Sequence, residues 1–493
     1  MSDFFRCCGN LRNASTRRQT LQQVALASAG LTCGSLVQAP RVADAQTASG
    51  FGSAKRCLLV YLWGSPSQLE TLDPKPDAPA EVQGEFRSIA SAIPGVRVGE
   101  ILPEISRLLD RVTVLRSLTH DFPIHGTAFA TTSVPSTDLQ LEGNTRDPRH
   151  WPFIGSIVDF LLAQTDATIP EVPRNFGLPF PIGSRRRVKP GPFGGFLGGA
   201  YDPIWSEFRA RGTREVLRDA GAPDVPTMMV ADPFLGIRPN DRFEWVEPPE
   251  SLAEDRLRGR SDLLEQLEAT HRLGARPAAA TTFDRHRELA RMVVLSGKLR
   301  NALDIQREPL KLRERYGMTL FGQSCLAARR LLEAGSKFVT VCWDEYGLVN
   351  TGWDTHVHLR SRLQEELGPG FDHAFATLLQ DLDARGMLAD TAIAVISEHG
   401  RTPTVQNVSG GGRDHWARAY SALFAGSAFA RGRVVGRTDR VAGEVAENPF
   451  SPKDVIATLY HLLGFDPRRE IRDHLGRSYP IGGTGHVRRE LLA

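Results

Sequence analysis

Six of the thirteen histidines fall in four short stretches that also carry carboxylates. Arg116-Ser-Leu-Thr-His-Asp-Phe-Pro-Ile-His-Gly-Thr127 holds His120, Asp121 and His125. Trp353-Asp-Thr-His-Val-His358 holds Asp354, His356 and His358. Glu398 and His399 stand side by side, and Gly412-Arg-Asp-His-Trp416 brings His415. Imidazole and carboxylate together suit zinc, manganese and related divalent ions. Such an ion polarises an ester oxygen and makes water acidic near neutral pH, and two ions about 4 Å apart can clamp both oxygens of a displacement. Each stretch also has a plainer reading. Asp354 can cap a turn, His356 can sit on the surface, Glu398-His399 can be a solvated strand end, and His415 can pack on Trp416.

Their shared position favours the first reading. Continuous apolar runs at 57–62, 112–115, 337–343 and 391–397 read as buried strands, with weaker ones at 420–425 and 433–435. Amphipathic or capped segments at 103–110, 153–162, 321–334, 371–385 and 452–463 read as helices, as do charged segments at 252–273 and 283–305. Strands alternating with helices predict an α/β fold, a mostly parallel central sheet with helices on both faces. In such sheets sites form beyond the carboxyl ends of strands, and the polar stretches follow the second, third and fourth strands. Residues 165–250, rich in Pro and Gly, are expected to be an irregular insertion lying over the core. His271, His286 and His461 lie on helical segments and read as structural.

Composition narrows the class. The chain has 493 residues, 41% hydrophobic and 24% charged, and no apolar run long enough to span a membrane. Thr16-Arg-Arg-Gln-Thr-Leu-Gln22, a mild apolar run from Val24 to Val37 and Ala43-Asp44-Ala45 occur in the order of a twin-arginine export signal, predicted over 1–45. Export to the periplasm or beyond is the expectation. Losing that segment removes five Arg and two Asp, so the net charge falls from +3 to 0. A neutral mature chain offers no global attraction for nucleic acid. Cys57, Cys325 and Cys342 remain, allowing one disulfide at most. A single domain is expected over 55–490.

Further motifs carry a family resemblance. Trp63-Gly-Ser-Pro-Ser-Gln-Leu-Glu-Thr-Leu-Asp-Pro-Lys-Pro76, Gly84-Glu-Phe86, Arg116-Ser-Leu-Thr-His120, Trp353-Asp-Thr-His356, Glu398 with Gly400-Arg-Thr-Pro403, and Gly412-Arg-Asp-His-Trp416 resemble the bacterial family known as domain of unknown function 1501. That family is similar to the alkaline phosphatase and sulfatase superfamily of metal-dependent ester hydrolases. The resemblance implies a sulfatase-like fold and metal ligands at Asp354, His356 or His358, Glu398, His399 and His415. It implies one or two divalent ions, zinc first, with manganese or calcium as alternatives. The substrate would be a small-molecule or glycan sulfate or phosphate ester. His120 and His125 would bind its anion or act as general acid, and Arg401 or Arg413 would neutralise the transferred group.

The chain departs from the superfamily pattern in three places. Leu62-Trp63-Gly64 stands where an Asp usually ends the first strand, leaving Glu70 or Asp73 to reach in, or one ion to be lost. No Cys-x-Pro-x-Arg nucleophile signature is present. Thr127 is the leading substitute, ahead of Thr119 and Ser117, and a hydrolase in which water attacks directly needs none of them. The position of His399 is often Phe in the nearer family, so this chain is closer to a ligating pair. The alternative is a non-catalytic binding or assembly protein on the same fold.

Overall fold

The four strongest apolar runs form neighbouring or near-neighbouring strands of one sheet. A computed structural model describes residues 49–493 apart from 123–124, 133, 135–143, 167, 184–187, 210, 219–227, 245–255, 257–258, 261, 264–265, 267–277 and 345–351. The expected export signal at 1–45, most of the expected helix at 252–273 and His271 therefore lie outside the described residues.

The sheet strands, in chain order, are β1 (Arg56–Leu62), β2 (Val112–Leu118), β3 (Asn175–Leu178), β4 (Ile204–Trp205), β5 (Phe338–Trp343), β6 (Thr391–Ile396), β7 (Tyr420–Ala425) and β8 (Arg433–Val435). Their spatial order is β8-β2-β7-β6-β1-β5-β3-β4. β7 runs antiparallel to both its neighbours, and the other pairings are parallel. The fold is thus α/β with a mostly parallel sheet. β1 shows why its sequence is apolar without interruption. Leu58, Val60 and Leu62 point into one core, while Cys57, Leu59 and Tyr61 point into the other. A strand buried on both faces shows no polar alternation.

Helices cover both faces. α1 (Thr127–Thr132) follows the His-bearing loop after β2. α2 (Ile154–Thr165) and α5 (Pro452–Leu462) pack on the Tyr61 face, and α3 (Leu320–Ala334) and α4 (Gly368–Ala384) on the Leu58 face. Local chemistry sets their ends. Thr319 caps α3, Gly335 ends it at φ 117°, and Ser451 with Asp454 closes a capping box on α5. The described residues belong to one compact unit.

The insertion is more than a cover. Asn175–Leu178 and Ile204–Trp205 extend the sheet beyond β5, in parallel register with it. Four and two residues, flanked by Pro and containing Gly177, are too short to show a period, so the sequence hides them. Cys57, Cys325 and Cys342 are buried free thiols. No described helix is long and apolar enough to cross a membrane.

Candidate metal centre

β1, β5 and β6 are parallel neighbours, so their carboxyl ends lie side by side. Backbone bonds then lash the following loops together. Trp63 N–H binds Trp343 O at 2.9 Å, and Trp353 N–H binds Trp63 O at 2.9 Å. This lays Asp354 against Gly64. Gly64 has φ 90°, and a Cβ there would sit 2.2 Å from the Asp354 nitrogen, so glycine is required. After β6, Gly400–Arg401 pairs with His415–Trp416 in a two-stranded ribbon, Arg401 opposite His415. Gln68 fastens that ribbon from below, accepting from Arg401 N–H at 2.9 Å and donating to Arg401 O at 2.8 Å. Arg413 N–H donates to Thr355 O, tying the His415 loop to the His356 segment.

These constraints bring Asp354, His125, His356, His399 and His415 into one cluster. Asp354 Oδ1 lies 3.1 Å from His356 Nε2 and 3.3 Å from His415 Nε2, and those two nitrogens are 3.1 Å apart. His125 Nε2 faces the other oxygen of Asp354 at 3.4 Å. His399 and His125 rings stand 4.5 and 4.3 Å from the His415 ring, centroid to centroid. Among the described residues, Asp354, His356, His415 and His125, His399, His415 form two groups whose ligand atoms lie within 4.8 Å of one another.

The second layer fixes the rings. His125 donates from Nδ1 to Glu398 Oε1 at 2.8 Å, His356 from Nδ1 to Asp414 Oδ1 at 2.8 Å, and His399 from Nδ1 to Gly400 O at 2.9 Å. Each acceptor holds a proton on Nδ1 and leaves Nε2 with its lone pair, the usual support of a metal-binding imidazole. His399 Nε2 is buried and has no hydrogen-bond partner among the described residues. Burial, then His415, His125 and Arg401, keep that ring neutral, the ligating form. Burial opposes the charge of Asp354, but Arg401 and His125 hold its carboxyl well below the usual range. Burial likewise opposes a charged His125, yet Asp354 and Glu398 outweigh it and raise its pKa to about 9. The anionic cluster thus captures a proton where no ion is placed.

A divalent ion fits this donor set. A tetrahedral zinc ion with bonds of about 2.0–2.1 Å separates its ligands by roughly 3.3–3.4 Å. The edges of the Asp354–His356–His415 triangle are 3.1, 3.1 and 3.3 Å. Four imidazoles and one carboxylate suit zinc or another nitrogen-seeking ion better than calcium, which takes oxygen ligands.

The structure places several expected residues elsewhere. Glu398 accepts four hydrogen bonds, from Gly64 N–H (2.9 Å), His125 (2.8 Å), Tyr61 O–H (3.0 Å) and Ser397 O–H (2.9 Å). Its lone pairs are occupied, so it orients His125 instead of binding an ion. His358 is outside both groups. It takes φ 53° before the helix Leu359–Arg362, and its ring lies against Gly410. His120 accepts Phe122 N–H at Nδ1 (3.1 Å) and donates from Nε2 to Glu398 O (2.7 Å), so both nitrogens brace the loop and neither faces a ligand. Arg401 is fully buried; it binds Asp354, Gly64 O, Ser65 O and Arg413 O and has no face for a substrate anion. Arg413 is spent on Glu70 and the carbonyls of Val82, Thr402 and Pro403. Glu70 therefore does not reach the cluster, and neither does Asp73, which pairs with Lys75 at 3.0 Å and Arg116 at 3.5 Å. Thr127 is buried at the start of α1, 3.5 Å from Tyr61 O–H. The supporting roles of Tyr61 and Asp414 escaped the sequence reading. Asp414 adjoins His415 and carried a visible signal, whereas Tyr61 lies inside an apolar strand and carried none.

Comparison with known proteins decides the family. The model of the family described as "Protein of unknown function (DUF1501)" matches residues 54–492. The chain belongs to the DUF1501 family. No curated protein matches this DUF1501 chain. Among solved structures it is similar to the PsFucS1 sulfatase from Pseudoalteromonas sp., at 12% identity and TM-score 0.39, over 90% of this chain and 73% of that one. A protein in the alkaline phosphatase superfamily from Vibrio parahaemolyticus matches at 13% and 0.38, over 97% and 81%. The phosphonate monoester hydrolase SpPMH from Silicibacter pomeroyi matches at 10% and 0.34, over 84% and 74%.

Proposed function

We propose that this DUF1501 protein is an exported metal-dependent hydrolase that cleaves a sulfate or phosphate ester at a zinc centre. The observation that carries the reading is the triangle of Asp354 Oδ1, His356 Nε2 and His415 Nε2, with its near-tetrahedral edges. Asp354, His356 and His415 would hold the ion and leave a position open, with His399 and His125 beside it. When bound, such an ion supplies Lewis acidity to an ester oxygen and to water.

The chain's own groups prepare the site. Glu398 and Asp414 fix the rings of His125 and His356. Arg401 keeps Asp354 ionised and aimed. Trp63 stacks on His125 at 4.7 Å and helps hold that ring in place. Thr127 meets Tyr61 and no base, so we assign attack to water and Thr127 to the wall. Thr127→Val then retains turnover, whereas a Thr127 nucleophile loses it.

A second reading keeps the ion and drops the chemistry. It is favoured by the fully engaged state of Arg401, His120 and Glu398, none of which is free to act on a substrate. Metal analysis of the purified mature protein, with a panel of aryl sulfates, phosphomonoesters and phosphodiesters, separates the two. Turnover abolished in Asp354→Ala and His415→Ala supports hydrolysis. Bound metal with no turnover on any ester leaves binding alone, and no bound metal removes both.

A further inference from the structure

We propose that Lys189 and the indole N–H of Trp63 form a binding site for an anionic group of the substrate, beside the metal cluster. The inference rests on the hydrolase reading and narrows its substrate to esters that carry a sulfate, phosphate or carboxylate within reach of Lys189. Three observations carry it. Trp63 is only 3% exposed, and its Nε1–H has no acceptor among the described residues. A buried donor left unpaired loses its hydration without compensation, and such groups call for a partner. Lys189 Nζ stands 5.7 Å from the centre of the Trp63 ring, and its ammonium has no ion pair among the described residues. By contrast, Arg401 and Arg413, both buried beside the cluster, are consumed by carboxylates and carbonyls.

The backbone sets Lys189 where it is. Its N–H binds Ile182 O at 2.9 Å. Gly183 N–H binds the Asp344 carboxylate just beyond β5. Two residues after Lys189, Gly191 takes φ 119° and packs on α1, where a Cβ would lie 2.8 Å from Ala128. The loop is thus held at both ends, between the end of β5 and the start of α1. Trp63 in turn lies on His125, which puts the anion site next to the donor cluster. A compact ammonium and a single N–H match two oxygens of one oxyanion. The Trp that replaces the expected first-strand acid thereby acquires a role: it adds a donor for an anion where an acid would repel one.

The test is binding of inorganic sulfate and phosphate to the purified full-length mature protein, measured by calorimetry. Wild type should bind at least one of the two, and Lys189→Met should weaken it at least tenfold. Lys189→Arg should recover most of the affinity. Trp63→Phe keeps the stack on His125 and loses the N–H, so a threefold to tenfold loss is expected. His415→Ala separates this site from the metal: anion binding that persists there and still depends on Lys189 supports the proposal even if no ion binds. Wild type binding neither anion at millimolar concentration overturns it. So does a folded Lys189→Met that binds as wild type does.

Discussion

Glu398 is the residue whose replacement says most about how the cluster is built. It is a buried carboxylate with four donors and no ligand role. Glu398→Gln can keep all four contacts. The amide oxygen takes the place of Oε1 and still accepts from Gly64 N–H and His125. The amide NH₂ takes the place of Oε2 and donates to Tyr61 and Ser397, whose hydroxyls can rotate to accept. What is lost is charge. Hydrogen bonds to an ionised group contribute about 1.5–3 kcal/mol and neutral ones about 0.5–1.5, a difference of about 1 kcal/mol per bond; relief from burying the charge offsets part of the sum, so the loss should be about 2–3 kcal/mol. Glu398→Ala instead leaves Gly64 N–H without its acceptor and Tyr61 O–H with only the long 3.5 Å contact to Thr127, at about 1–3 kcal/mol each, beside a small cavity. It should cost about 3–6 kcal/mol. Urea unfolding in the presence of chelator measures both. Because His125 loses its carboxylate, Glu398→Gln should also bind zinc tenfold to a hundredfold more weakly in a competition titration. A folded Glu398→Gln that binds zinc as wild type does would refute the assignment of Glu398 to ring support. Equal stability of the two variants would refute the hydrogen-bond reasoning.

The metal-free protein should lose stability as pH rises. His125 is raised from its ordinary 6.5 to about 9, so its contribution is fully present below pH 6.5 and lost as pH passes through about 9, by up to about 3 kcal/mol. Zinc affinity should climb over the same window, because the ion displaces that proton; chelator-treated unfolding and zinc titrations at pH 6, 7.5 and 9 check both signs. Arg401→Met leaves Asp354 and three carbonyls without their buried partner, and should destabilise by about 3–5 kcal/mol, read as a fall in the urea midpoint. Changing Arg17 and Arg18 to Lys should hold the precursor in the cytoplasm, whereas unchanged periplasmic recovery would remove the twin-arginine route.

Much of the architecture was legible because burial on both faces writes long apolar runs. β1, β5 and β6 announce themselves, and so do the polar stretches at their ends. β3 and β4 did not, since strands of four and two residues carry no period and only pairing with β5 reveals them. The site was half legible. Residue type and position after a strand marked Asp354, His356, His399 and His415, which the structure brings together. The division between donors and supports was not readable. Glu398 and His399 are neighbours in sequence, yet a strand end turns them apart, one toward Tyr61 and Gly64 and the other toward His415. Arg401 looked like an anion contact because a charge beside ligands often is one. Its complete burial against backbone carbonyls is a tertiary fact with no local signature.

The central claim is that five side chains converge on one divalent centre. X-ray absorption at the zinc edge of the zinc-loaded mature protein tests it most directly. The account predicts a first shell of nitrogen and oxygen at about 2.0–2.1 Å, with imidazole scattering that diminishes in His356→Ala and His415→Ala. Zinc that fails to bind stoichiometrically, or an oxygen-only shell unaffected by either substitution, would contradict it.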